Sequence, residues 1–85
     1  MKTIGLLGGM SWESTASYYR IINTAVRNRL GGLHSARLCL YSVEFGEVQG
    51  LMADGKWSEV SGILADGARK LESAGSDFIL ICTNT

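Results

Sequence analysis

Two clusters of small polar residues in this 85-residue chain could do chemistry: Gly8-Gly9-Met10-Ser11 near the start and Cys82-Thr83-Asn84-Thr85 at the end. An ionised cysteine is a base or nucleophile. Hydroxyls and a carboxamide, as at Thr83, Thr85 and Asn84, can donate hydrogen bonds to a carboxylate. A Gly-Gly pair lets the backbone approach a ligand closely, and amides at the start of a following helix can hold an anion. A carboxylate or a phosphate satisfies such a turn equally well, and so does a tight turn with no ligand. Asn84 and Thr85 would serve as readily to cap a following helix as to bind a substrate. Spacing excludes two familiar sites: Gly5-x-x-Gly8-Gly9 is not a dinucleotide fingerprint, and no Lys-Ser/Thr follows the glycines as a P-loop requires. Glu44 is a weak candidate for a ribose contact.

These clusters must be positioned by the elements around them. The apolar run Thr3 to Leu7, closed by Gly8-Gly9, predicts a buried strand. Ser11 offers an N-cap and Glu13 a favourable charge in the first turn of a helix. Tyr18 and Tyr19 mark its inner face, which continues through Ile22, Val26 and Leu30 to a stop at Gly31-Gly32. Leu38 to Val43 predicts a second strand, followed by a mixed stretch from Glu44 to Ala53 that suits a loop with a short helix. Asp54 can cap a further helix with Trp57, Val60, Leu64, Ala68 and Leu71 facing inward and Gly75 ending it. Asp77 to Cys82 predicts a third strand. Apolar strands joined by amphipathic helices imply parallel pairing, hence an α/β fold: a βαβαβ unit with helices flanking a parallel sheet. Ligands of such sheets gather beyond the carboxyl ends of the strands, where both polar clusters fall.

Composition narrows the class. Hydrophobic residues make up 46% and charged residues 19% of the chain, a globular composition, and eight basic side chains balance eight acidic ones. That balance gives no electrostatic footprint for nucleic acid or an anionic membrane. The run Ile4 to Met10 is too short to span a bilayer and lacks a signal-peptide pattern, which makes a cytoplasmic protein the expectation. Two cysteines, Cys39 and Cys82, form neither a disulfide framework nor a metal site by spacing. The chain stops directly after the apolar run Phe78-Ile79-Leu80-Ile81. Because buried parallel strands need cover on both faces, residues 1–85 are expected to be one incomplete N-terminal domain.

Three stretches together resemble the aspartate/glutamate racemase family: Gly8-Gly9-Met10-Ser11-Trp12-Glu13-Ser14-Thr15, Ala74-Gly75 and Cys82-Thr83-Asn84-Thr85. The similarity runs the length of the chain, with the bacterial broad-specificity amino-acid racemases nearest. The resemblance implies two similar α/β domains with the active site between them, of which this chain would supply most of the first. It implies no pyridoxal phosphate and no metal. One thiolate removes the α-proton of an acidic amino acid while a thiol on the opposite face returns one, each domain giving one of the pair. The missing C-terminal domain is then the necessary partner, a homodimer is plausible, and the chain alone would be inactive. Backbone groups of Gly9, Met10 and Ser11, with Asn84 and Thr85, would hold the substrate carboxylate, and Met52 would line the side-chain pocket. Trp12 would shape the cleft, and His34, at the opposite end of the sheet, would be structural or interfacial.

One position departs from the family pattern, which places cysteine directly before Asn-Thr. Here Thr83 stands there and Cys82 comes one residue earlier. Side chains alternate along a strand, so the two point to opposite faces. In strict register Thr83 takes the catalytic place and Cys82 joins Leu80 and Phe78 in the packing, with Cys82 as the alternative catalytic residue. A hydroxyl is too weak an acid to form an alkoxide base near neutral pH. The expectation is a lopsided racemase favouring one enantiomer, the L form by analogy. The competing expectation is a non-catalytic α/β domain that binds a small anion or phosphate at the Gly8-Gly9 turn.

Overall fold

The computed structural model describes residues 1–83 and has the order β1 (Ile4–Gly8), α1 (Trp12–Leu30), β2 (Leu38–Ser42), α2 (Phe45–Ala53), α3 (Trp57–Ser73) and β3 (Phe78–Ile81). The three strands form one sheet in the order β2-β1-β3, and both pairings are parallel. The α/β expectation is met. Each strand is displaced or trimmed by about a residue relative to the predicted runs, the usual uncertainty at element ends. Leu6 of the central strand lies opposite Leu40 on one side and Leu80 on the other; Leu7 lies opposite Tyr41 and Ile81.

The two faces of the sheet are covered unequally. Leu7, Val43, Val48, Val60 and Leu71 form a buried cluster beneath α2 and α3. Helix α3 approaches closely because Gly67 has no side chain: a Cβ there would lie 2.7 Å from Leu7 and 2.8 Å from Tyr41. On the opposite face Leu6 is fully enclosed, but α1 leaves Leu40, Phe78 and Leu80 exposed. Burying each enclosed leucine contributes roughly 1.5–3 kcal/mol. No helix among the described residues is long and apolar enough to cross a membrane.

Several sequence expectations need correction. In α1 Ile22 and Val26 are half-buried as predicted and Tyr18 is also half-buried, but Tyr19 and Leu30 are exposed and Thr15 is the buried residue. The predicted stripe is therefore inward over only part of the helix's length. Ser11 occupies the N-cap position of α1 but makes no side-chain cap; its φ is 70°, and its hydroxyl donates to Glu13 Oε2 instead. In α3 Val60 and Leu71 are buried and Leu64 and Ala68 half-buried, whereas Trp57 is exposed. Asp54 does not cap α3: it ends α2, and Lys56 precedes α3 without a side-chain cap. The mixed segment resolves into α2, whose N-cap is Glu44; its carboxylate accepts from the amides of Gly46 (2.8 Å) and Glu47 (3.0 Å).

Candidate active site

The carboxyl end of the sheet is built around the turn between β1 and α1. Gly8 continues the ladder by accepting from Val43 N at 2.9 Å, and Leu7 O accepts from Cys82 N at 2.8 Å. These bonds bring the ends of β2 and β3 to either side of Gly9. The amide of Gly9 donates to Thr15 Oγ1 at 3.0 Å in a buried contact, so a hydroxyl on the first turns of α1 fixes the loop. Thr15 also fills the space a Gly8 side chain would need, its Oγ1 and Cγ2 both 2.6 Å from where that Cβ would stand. Thr15→Val keeps the shape but leaves the Gly9 amide without a buried acceptor. The expected loss is about 1–3 kcal/mol, seen as a lower urea midpoint with an unchanged slope.

Thr83 follows β3 and is exposed at this same end of the sheet. Its backbone carbonyl accepts from the Tyr18 hydroxyl at 3.4 Å, tying the chain after β3 to α1. Cys82, in contrast, is fully enclosed, and burial raises its thiol pKa above the ordinary value. That is opposite to what a proton-abstracting thiolate requires. Cys82 is enclosed although Phe78 and Leu80, its partners by alternation, remain partly exposed. A maleimide reagent should therefore modify half-buried Cys39 first and reach Cys82 only as the chain unfolds. A Cys39→Ser variant labelled at the rate of a free thiol would contradict this enclosure.

The other sequence-selected residues separate into distinct places. Gly9 and Ser11 lie in the β1–α1 turn, while Met10 packs from that turn against the core cluster. Met52 also packs against this cluster, from α2. Trp12 is exposed at the start of α1, and His34 is exposed in the loop before β2, at the other end of the sheet. Asn84 and Thr85 lie outside the described residues. Glu44 is occupied in capping α2, which explains its position without a ribose. Sequence reasoning missed Thr15 and Tyr18 as supports of the site. Thr15 lies in the first turns of α1 close to the Gly8-Gly9 turn, and a hydroxyl there can accept from a backbone amide of that turn.

A groove of 760 Å³ near the end of β2 is not suited to an acidic substrate. Glu44, Glu47, Glu59 and Asp66 line it, and their charges oppose a dicarboxylic amino acid. The β1–α1 turn and the end of β3 carry one nearby carboxylate, Glu13, which accepts from the Ser11 hydroxyl, against four in the groove.

A parallel α/β unit with a glycine turn at one end of its sheet belongs to the class of open α/β folds, whose ligands gather beyond the carboxyl ends of the strands. Residues 7–85 match the Asp/Glu/Hydantoin racemase family, and the chain belongs to that family. It is similar to the crystal structure of a candidate Asp/Glu racemase from Yersinia pestis, with 52% identity and a TM-score of 0.95. It is also similar to the crystal structure of an aspartate racemase homologue from Pyrococcus horikoshii OT3, with 32% identity and a TM-score of 0.88. Each match covers 99% of this chain but only 36% of the solved chain.

Proposed function

We propose that this chain supplies one half of the active site of a cofactor-independent amino-acid racemase acting on aspartate or glutamate in the cytoplasm. The observation that carries the reading is the convergence of the Gly9–Ser11 turn and Thr83 at one end of the sheet in a chain of the racemase family. The α-proton of an amino acid is weakly acidic, and removing it beside a carboxylate concentrates negative charge. The Met10 and Ser11 amides, together with Asn84 and Thr85, donate to that carboxylate and stabilise the developing carbanion, the Gly9 amide being held by Thr15. Met52 lines the side-chain pocket. A thiolate from a second α/β domain abstracts the proton from one face. Thr83 passes its hydroxyl proton to the carbanion on the other face while taking one from an adjacent water, whose hydroxide returns to solvent, and the configuration inverts. Cys82 stays in the packing.

The test joins this chain to the rest of a racemase by exchanging it for the matching stretch of the Yersinia pestis relative. The graft is then incubated with L- and D-aspartate and L- and D-glutamate in deuterium oxide. The reading expects deuterium at the α-carbon and inverted product without added cofactor or metal, with faster exchange from the L enantiomers. A folded graft that exchanges no α-proton, while its parent does, overturns it.

A further inference from the structure

The opposite end of the sheet carries a second, differently charged recess. It lies between the second half of α1 and the loop before β2, with a volume of 510 Å³. Arg20, Thr24 and Arg27 enter it from one stripe of the helix, as their i, i+4, i+7 spacing requires. His34 and Ser35 face them from the loop. Asn23 fixes this arrangement: its Nδ2 donates to Tyr19 O at 3.1 Å, and its Oδ1 accepts from Ala36 N at 2.8 Å. The loop is thereby stapled to the helix while Gly31 and Gly32, both with positive φ, turn the chain.

The chemistry of the lining is one-sided. No carboxylate contributes to it, and the arginine, hydroxyl, imidazole and amide groups it contains can all donate. Neither arginine forms an ion pair among the described residues, where the salt bridges join Asp66 to Arg69 and Lys70. Arg27 also complements the carboxyl end of the α1 dipole, but Arg20 lies two turns earlier and has no such role. The arginine positions are about 10 Å apart along the helix, so their guanidinium groups can grip separate anionic ends of one molecule. Tyr19 and Leu33, both exposed, border it.

We propose that this recess binds a small polyanion, a phosphate ester or a polycarboxylate, at a site separate from the carboxyl end of the sheet. The proposal stands independently of the racemase reading. Pyrophosphate and citrate are the probes, titrated into the ¹⁵N-labelled full chain at low salt. Saturable shifts are expected at the amides of Thr24, Arg27, His34 and Ser35. Arg20→Gln and Arg27→Gln should each weaken binding by about tenfold, the loss of a charge-assisted bond. Arg69→Gln, on α3, should leave it unchanged, and added salt should weaken it. Tighter pyrophosphate identifies the phosphate class, and tighter citrate the carboxylate class. Absence of saturable shifts, equal weakening by Arg69→Gln, or shifts spread over Lys2, Arg37 and Arg69 alike would overturn the proposal. Preference for single-stranded nucleic acid over both probes would also overturn it.

Discussion

Replacing Gly9 with alanine is expected to destabilise the chain by about 3 kcal/mol or more, among the largest effects of any single substitution outside the apolar core. Two independent costs add at this position. Its φ of 94° is a conformation L side chains rarely adopt, costing roughly 1–2 kcal/mol by comparison with left-handed helical backbone. A Cβ would also sit 2.4 Å from Val43 O and 2.6 Å from Val43 N and Ser42 Oγ. Two of those three atoms are backbone of the neighbouring strand end, which cannot rotate aside, and forcing them apart adds about 1–3 kcal/mol. For a chain of this size the sum corresponds to a fall in Tm of more than about 10 °C. Thermal unfolding of Gly9→Ala beside Gly31→Ala is the comparison. Gly31 also has positive φ, but no atom lies within 4 Å of its Cβ position, so it isolates the conformational cost. Equal losses in the two variants would show that the close packing at Gly9 contributes nothing.

The second large effect is chemical. In the active graft, Thr83→Cys should raise α-proton exchange on the slower face by about 10²-fold or more, the usual range for a positioned general base. A threonine hydroxyl can donate a proton but cannot be ionised appreciably near neutrality, whereas a thiol has a reference pKa of about 8.5. The substitution therefore adds a base on one face and leaves the other face's thiol untouched. Rates from the L and D enantiomers should converge. Cys82→Ala, made alongside, should lower stability and leave the asymmetry as it was, because Cys82 is fully enclosed. Unchanged asymmetry in Thr83→Cys, or exchange abolished in a folded Cys82→Ala variant, would move the catalytic role away from Thr83.

Much of the architecture was legible because it depends on local pattern. Apolar runs gave the three strands, and their separation by helix-length segments required parallel pairing. Helix faces were less legible. Tyr19 and Trp57 carry the apolar spacing of an inner face yet stand exposed, because a helix pattern specifies a stripe and the packing partner decides how much of it is covered. Caps were misread for a related reason: Ser11 and Asp54 have suitable side chains, but Ser11 adopts positive φ and Asp54 is drawn into the end of α2. In the site, Cys82 is enclosed, but Phe78 and Leu80, which alternation along β3 groups with it in the packing, stand exposed. The Tyr18 contact was not legible, since it joins α1 to a distant segment through a single hydroxyl, whereas Thr15 reaches back only to Gly9. Glu44 shows the opposite error of ambition: a carboxylate at a strand end suggested a ligand contact, while its two oxygens cap the next helix.

The strand order also sets a timetable for assembly. Among the described strands β1 is made before β2 and β3 yet lies between them, so these two partners arrive only after Leu38 and then Phe78 have been synthesised. Each pairing must close a long loop before any ladder bond rewards it. Until then the Ile4–Gly8 segment waits as an unpaired apolar strand, the kind of species on which chaperones act. Pairing among these three strands thus proceeds outward from β1, which is paired on both edges only when β3 is in place.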